Sequence, residues 1–433
     1  MQYSGMDFLN SRLMFGMVPG LETTKKLCDV LGSPQKKFKT IHVVGTNGKG
    51  STSYYLSGIL QAHGFKTGLF TSPHLVSLRE RIRVNDIPIG NEDLNRLLLC
   101  VQDAAKQASV EPTFFEVLTL VAFLYYAEQG VDVVSMEAGM GGRLDSTAVA
   151  CGDYVVLTSI GLEHTEVLGT TESAILKEKM AIIEASDNGK KVFVVGGLSE
   201  RLASEAREYA EQHKAECYVP KIRDDVELPN LGRHYIENAS LSLAVAEKFI
   251  QGCGVNYDDA LALKKLESRS WAGRMQKLTD SDGQVRYILD GAHNSHAVRR
   301  LVETLAEYYP DVKFHCVFGA LKDKDVGEML KLMAPHVSHW HITKTPYPRF
   351  RELDDLRAEL ASLGLNVASE GELSREFLDK VSATASLDTA NKKAPVLVTG
   401  SLYMIGETVQ TLKDDFEGLA FFRGLEPSTN EHR

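Results

Sequence analysis

Short apolar segments alternating with helix-spaced stretches constrain this chain more than any other feature. In the first half the apolar segments are TIHVV (40–44), KTGLF (66–70), VDVVSMEAG (131–139), DYVVLTSIG (153–161) and KVFVVG (191–196). In the second half they are VRYILDG (285–291), KFHCVFGA (313–320), SHWHITK (338–344), LNVASE (365–370) and PVLVTGS (395–401). Most of these runs are continuously apolar, so their strands are buried on both faces. That pattern belongs to parallel sheets covered by helices. Helical spacing fills 48–64, 91–109, 114–129, 172–185 and 234–251, then 295–308, 325–334, 351–363, 372–385 and 403–413.

A chain of 433 residues exceeds one ordinary core, so two domains are expected. The polar, turn-forming stretch TDSDGQ (279–284) is the natural boundary. It divides the chain into 1–281 and 282–433. The tail EPSTNEHR (426–433) is expected to fray.

The net charge of -10 speaks against a nucleic-acid partner, although a local basic pocket for a small anion remains compatible with it. The six cysteines are scattered, which fits core thiols in a reducing cytoplasm. No basic start followed by an apolar block marks a signal peptide. The longest apolar run, 117–127, is about half the roughly 20 residues a membrane span needs. It reads as a buried helix, and no membrane partner is expected.

The segment IHVVGTNGKGSTSYYL (41–56) has strand, glycine turn and helix in the order of a phosphate loop. Its spacing departs from the common signature, because only Thr46 and Asn47 separate Gly45 from Gly48, and Gly50 stands between Lys49 and Ser51. The glycines let backbone approach a phosphate, and helix N-terminal amides favour the anion. Lys49 supplies a cation; Ser51 or Thr52 supplies a hydroxyl for Mg²⁺. The alternative is a plain tight turn with an exposed lysine.

Other residues gain meaning from position. Glu137 ends a strand before GMGGR, at the carboxyl edge where ligands bind α/β sheets, and a carboxylate there suits Mg²⁺. His164 follows a strand in the same way, where a lone histidine is more often hydrogen-bonded than ligating. Lys179 lies in a helix beside Glu178. Arg79, Arg81 and Arg83 fall in a hairpin turning at Asn85-Asp86, which could be a basic surface. Phe114 and Phe115 cannot share one side of a helix, so one belongs to the core and one is available to stack on a ring.

Seven segments occur in an order that resembles the folylpolyglutamate synthase/dihydrofolate synthase family of the Mur ligase superfamily. Besides the glycine turn, they are TSPHLVSLRERIRVN (71–85), FFEVLTLVAF (114–123), MEAGMGGRLDST (136–147), TSIGLEHTEVLG (158–169), GRMQ (273–276), LDGAHN (289–294) and VTGSLYMIGE (398–407). The resemblance spans nearly the whole chain. It implies an α/β fold: an N-terminal P-loop-type ATPase domain with a mostly parallel sheet, plus a smaller C-terminal Rossmann-like α/β domain. It also implies ATP-driven amide formation, in which L-glutamate joins a folate or dihydropteroate carboxylate through an acyl phosphate.

Several roles follow from that resemblance alone. Gly45, Thr46, Asn47, Gly48, Lys49, Gly50, Ser51 and Thr52 bind ATP with Asn238, Arg274 and Asp290. Ser51, Glu137 and His164 hold magnesium, and a carbamylated Lys179 helps bind a second Mg²⁺. Lys49, Lys179, Arg274 and His293 carry the chemistry, with Asp290 directed to the ribose and His293 to the transferred phosphate. Ser72, Pro73, His74, Arg79 and Phe115 face the folate. A cytoplasmic monomer is implied.

Ala148, Glu163 and Ala272 depart from the family pattern, which usually has asparagine, aspartate and proline there. Two rivals remain at this point. A cell-wall Mur ligase would carry a uridine-nucleotide domain before the turn, where about 40 residues stand here. A non-catalytic regulator would have lost Lys49, Glu137 or His293.

Overall fold

A computed structural model describes residues 4–13, 20–185, 191–388 and 394–428. The chain forms two compact units. The first comprises Met1–Pro73, Arg79–Leu228 and His234–Arg269; the second comprises His74–Leu78, Pro229–Arg233 and Ser270–Arg433.

The first unit holds an eight-stranded sheet. Its strands are β1 (Lys39–Val44), β2 (Thr67–Phe70), β3 (Ile82–Val84), β4 (Ile87–Pro88), β5 (Val133–Glu137), β6 (Tyr154–Leu157), β7 (Val192–Val195) and β8 (Glu216–Tyr218). The order is β4-β3-β2-β5-β1-β6-β7-β8. Strands β2, β5, β1, β6, β7 and β8 are mutually parallel, and the β3–β4 hairpin adds an antiparallel edge. Alternate residues serve opposite cores. Ile41, Val43, Val156 and Val194 pack with helices Lys49–Ala62 and Arg233–Gly252. Val44, Val155, Leu157, Phe193 and Val195 pack with Glu172–Met180 and Glu200–Gln212. Burial on both faces is why these strands read as continuous apolar runs.

Helix Phe114–Glu128 confirms the buried helix expected at 117–127. It begins with a capping box: the Thr113 hydroxyl accepts from the Glu116 amide, and the Glu116 carboxylate accepts from the Thr113 amide at 2.8 Å. The Asn85-Asp86 turn also forms, with both residues at positive φ. Asp86 then makes a two-pronged ion pair with buried Arg269 at 2.7 and 2.9 Å. Gly58 leaves the space Arg269 occupies, since a Cβ there would lie 2.4 Å from its Cδ.

The second unit holds β9 (Gln276–Thr279), β10 (Val285–Asp290), β11 (Phe314–Phe318), β12 (Val337–Lys344), β13 (Val367–Glu372) and β14 (Val396–Thr399), in the order β13-β12-β11-β14-β10-β9. All pairings are parallel except β9 with β10. The boundary expected at 281/282 is therefore corrected. Residues 279–284 form a hairpin turn inside this unit, with Asp280 accepting the amides of Asp282 and Gln284 at 3.0 and 2.9 Å. The division falls at Arg269/Ser270. Local polarity marked a turn, and the short β9 before it carried too little apolar pattern to be read as a strand. Two outlying pieces join the same unit: Leu75 and Val76 enter its core, and Asn230 brackets the Trp271 backbone. The tail expected to fray is held as far as Ser428, which pairs with Val76 and Leu78; residues 429–433 lie outside the described set. Among the described residues no helix is long and apolar enough to cross a membrane.

His42, in β1, is fully buried and bonds the Thr147 carbonyl through Nε2 at 3.0 Å. Burial pushes its pKa down to about 4, against the raising effect of that bond. The unfolded chain therefore binds a proton between about pH 4 and 6.5 that the folded chain does not, so stability falls as pH drops through this window. His42→Asn should flatten the acid side of the pH profile of unfolding free energy, measured by urea titration, by up to about 1.4 kcal/mol per pH unit. An unchanged slope would refute this assignment.

Candidate active site

Strand register sets three loops level. Val43 lies opposite Glu137 on one side and Val156 on the other. The Val43 carbonyl accepts the Ala138 amide at 3.0 Å, and the Val44 carbonyl accepts that of Thr158 at 2.9 Å. Residues 45–48, 138–145 and 158–164 thus leave the sheet together at its carboxyl edge, where α/β sheets bind ligands.

The glycine turn is built against the third loop. A Cβ on Gly45 (φ +146°) would lie 2.0 Å from the Thr158 hydroxyl. That hydroxyl is 3.2 Å from the Val44 carbonyl and 2.6 Å from that of Asn47. The Thr46 amide donates to the Ser159 carbonyl at 2.9 Å, and the Asn47 amide to the Ser159 hydroxyl at 3.0 Å. Thr46 Oγ1 also joins Gly161, donating to its carbonyl and accepting its amide. Gly48 (φ +86°) has Asn238 Oδ1 at 2.6 Å from its Cβ position, which places Asn238 against the turn. Helix Lys49–Ala62 then starts with no side-chain cap. Its first turn contains Gly50 and the buried Ser51 and Thr52; among the described residues the Thr52 hydroxyl has no partner.

Two ammonium groups converge on this turn. Lys49 Nζ donates to the carbonyls of Gly45 and Thr46 at 2.9 and 3.1 Å. Lys179, only 1% exposed, donates to the Gly45 carbonyl at 2.9 Å and to Glu163 Oε1 at 2.8 Å. Burial, then Lys49, pulls the Lys179 pKa down to about 8, with Glu163 opposing. Burial alone would raise Glu163, but Lys49 and Lys179 hold it below the usual carboxylate range.

Glu137 is buried, and its Oε2 accepts the Ser72 amide at 2.9 Å, which joins Ser72 to the candidate metal carboxylate. The Ser72–Pro73 bond is cis. His164 is exposed, takes a left-handed conformation (φ +45°) and opens the short helix Thr165–Leu168. Phe115 packs over Gly139, whose Cβ would meet the ring at 2.5 Å, and its ring centre is 5.9 Å from that of Phe70. Phe114 lies under the Arg81 guanidinium at 5.7 Å. The basic-surface alternative fails for Arg81 and Arg83, which are buried; Arg79 donates to the Ile89 carbonyl at 2.5 Å.

In the second unit, Asp290 ends β10 with its carboxylate accepting the amides of Met275 and Ala292, each at 2.9 Å. His293 Nδ1 is 2.8 Å from the Gly291 carbonyl, so Nδ1 carries the proton and Nε2 faces elsewhere. Arg274 Nη1 lies 2.6 Å from the Cβ position of Gly291, which gathers Arg274, Asp290 and His293 around one turn. His74 belongs to this unit, whereas Ser72 and Pro73 belong to the first.

Sequence reasoning noted Glu163 only as a departure; the ion pair with Lys179 gives it a role that spacing could not reveal. It also passed over Asp145, which is buried, with its pKa raised by burial. Asp145 organises the GMGGR loop by accepting the amides of Met140 and Thr147 at 2.9 and 3.0 Å. The Asp-x-Thr pattern of a side-chain cap was the available signal.

Comparison with known proteins matches residues 43–215 to the Mur ligase middle domain and 273–402 to the Mur ligase glutamate ligase domain. The dihydrofolate synthase/folylpolyglutamate synthase of Bacillus subtilis is 33% identical over 94% of this chain and 98% of its own length. A Mycobacterium tuberculosis folylpolyglutamate synthase solved with ADP superimposes with a TM-score of 0.83 at 27% identity, covering 98% of each chain. A bifunctional folylpolyglutamate synthase/dihydrofolate synthase solved with Mn, AMPPNP and L-glutamate gives 0.77 at 27% identity, over 95% of this chain and 98% of the other. With a level-ended parallel sheet, a glycine turn at its carboxyl edge and full-length similarity of this kind, the chain belongs to the folylpolyglutamate synthase/dihydrofolate synthase family of Mur ligases.

Proposed function

We propose that this chain uses ATP to join L-glutamate to the carboxylate of a folate, with dihydropteroate as a second acceptor. The observation that carries this reading is the uncapped glycine turn at Gly45–Lys49, set level with buried Glu137. Its relatives are named dihydrofolate synthase/folylpolyglutamate synthase, and two of the solved ones hold ADP, or AMPPNP with Mn and L-glutamate. Retention of Lys49, Glu137 and His293 disfavours a non-catalytic regulator. The same reading includes a cytoplasmic monomer.

The residues fit a nucleotide and a divalent ion. The helix N-terminus offers uncapped amides, the Thr52 hydroxyl lacks a partner among the described residues, and Glu137 supplies a hard oxygen donor beside the turn. Ser51, Glu137 and His164 would hold Mg²⁺ and a carbamate on Lys179 a second, supplying charge neutralisation for the triphosphate. In the reaction, an acceptor carboxylate oxygen attacks the γ-phosphorus and ADP leaves, giving an acyl phosphate. The glutamate amine then adds to the carbonyl and sheds its proton to solvent. The tetrahedral intermediate collapses, and phosphate departs with one original carboxylate oxygen. Lys49 and the turn amides stabilise the charge that develops on phosphate. Contacts from Arg274 and His293 to the transferred phosphate, from Asp290 and Asn238 to the nucleoside, and from Ser72, Pro73, His74, Arg79 and Phe115 to the folate complete the proposal.

Carbamylation of Lys179 would replace its ion pair with Glu163 by two adjacent anions, an arrangement that calls for a cation between them. With ¹³C-bicarbonate, the native chain should therefore give one carbamate resonance that Lys179→Ala lacks. A native spectrum without that resonance refutes the modification.

Incubation with ATP, glutamate and ¹⁸O-carboxylate tetrahydrofolate should give ADP, a product one glutamyl unit heavier, and ¹⁸O in the phosphate. Parallel incubation with dihydropteroate tests the second acceptor. ADP release that ignores both acceptor and glutamate would sink the ligase reading. Lys49→Ala should lower kcat on the order of 10²–10³-fold while the chain stays folded; near-native turnover would remove Lys49 from the chemistry.

A further inference from the structure

The second unit carries a histidine cluster that the ligase reaction does not use. In its sheet, Asp290 and Phe318 stand level, each opposite Thr399 of β14. His315 lies three positions earlier in β11, about 10 Å back toward the amino edge at roughly 3.3 Å per residue. A register shift between Phe314 and His315 sets His315 opposite His339 of β12. His341, two residues on, projects from the same face of β12. The face of β11 that carries Val317 packs against Leu378, Val381 and Ala385 of helix Arg375–Leu387, and Asp388 caps that helix. Strand register and helix length together thus bring Asp388 to the histidines.

The geometry is close. His315 Nε2 is 3.4 Å from Asp388 Oδ2, and its ring stacks on His339 with centres 4.2 Å apart. One ligand atom each from His315, His339 and Asp388 lies within 4.8 Å of the others. For Zn²⁺ with bonds of about 2.05 Å, a tetrahedron has edges of about 3.3 Å, near the His315–Asp388 separation. Behind His315, its Nδ1 is 3.1 Å from His341 Nε2, and His341 Nδ1 is 2.7 Å from the Ser369 hydroxyl. His315 and His341 are each 2% exposed, whereas His339 is exposed.

We propose that His315, His339 and Asp388 bind one divalent transition-metal ion of the Zn²⁺ class, with His341 as a positioning residue. Two imidazoles and a carboxylate are a borderline donor set that suits Zn²⁺ better than Mg²⁺. The relay behind His315 is the partner a ligating histidine needs: Nδ1–H donates to His341 Nε2, His341 Nδ1–H donates to Ser369 Oγ, and His315 Nε2 keeps its lone pair for the metal. His339, at the surface, turns its ring to complete three ligands and leaves a fourth position for water. The ion would tie β11, β12 and the end of helix Arg375–Leu387 together.

The test uses the full chain without nucleotide, with excess Mg²⁺ occupying oxygen-ligand sites. Titration with Co²⁺ should show one equivalent with the visible absorption of tetrahedral cobalt, displaced by Zn²⁺. Zn²⁺ should also raise the Tm. His339→Ala and Asp388→Asn, changes at a surface ring and a loop carboxylate, should weaken binding at least about 10²-fold and abolish the Tm shift, with ligase turnover unchanged. His341→Asn should weaken binding about 10–100-fold and keep the stoichiometry. Absence of stoichiometric binding in the native chain, or equal binding in the His339 and Asp388 variants, overturns the site.

Discussion

The carboxyl edge of the first sheet depends on Gly45 having no side chain. The Thr158 hydroxyl lies 2.0 Å from where a Cβ would be, and from there it reaches the carbonyls on both sides of the turn. Any larger residue would separate β1 from the loop after β6. Thr46 and Asn47 would lose their anchors on Ser159 and Gly161, and the helix start at Lys49 would shift. The turn's unusual spacing is explained by this support. Its two inner residues, Thr46 and Asn47, are pinned by a neighbouring strand end, so a short turn keeps its shape.

Electrostatics at the same edge reinforce that geometry. Lys49 and Lys179 share the Gly45 carbonyl, and Glu163 offsets one of the two charges. A net positive charge held over a turn of backbone amides attracts a polyphosphate. Burial of Lys179 costs solvation that only close partners offset, so Glu163 and Gly45 become structural requirements as well as electrostatic ones. Glu163 makes this contact at 2.8 Å from Lys179 Nζ.

The second unit uses the two edges of its sheet differently. Near the carboxyl edge, Asp290 braces the start of the strand-to-helix turn by accepting two amides, and His293 is fixed in one tautomer by the Gly291 carbonyl. Toward the amino edge, His315 and His341 are buried imidazoles in a sheet whose core also includes Val317, Leu289, Val396 and Val398. Buried imidazoles need partners, and here each finds one in another side chain.

The sequence by itself determined the parallel α/β architecture, because strands buried on both faces must be apolar throughout. It also determined the glycine turn, the helix at 114–128 and the Asn85-Asp86 turn, which rest on residues adjacent in the chain. Tertiary structure alone decided what depends on residues far apart. It placed the unit boundary at Arg269/Ser270, because membership follows strand pairing and core packing rather than local polarity. It buried Arg81 and Arg83, paired Glu163 with Lys179, and brought Asp388 to His315 across 73 positions of sequence. Spacing along a chain encodes the period of a helix or strand; it does not encode register between strands or the point at which a helix end meets a sheet.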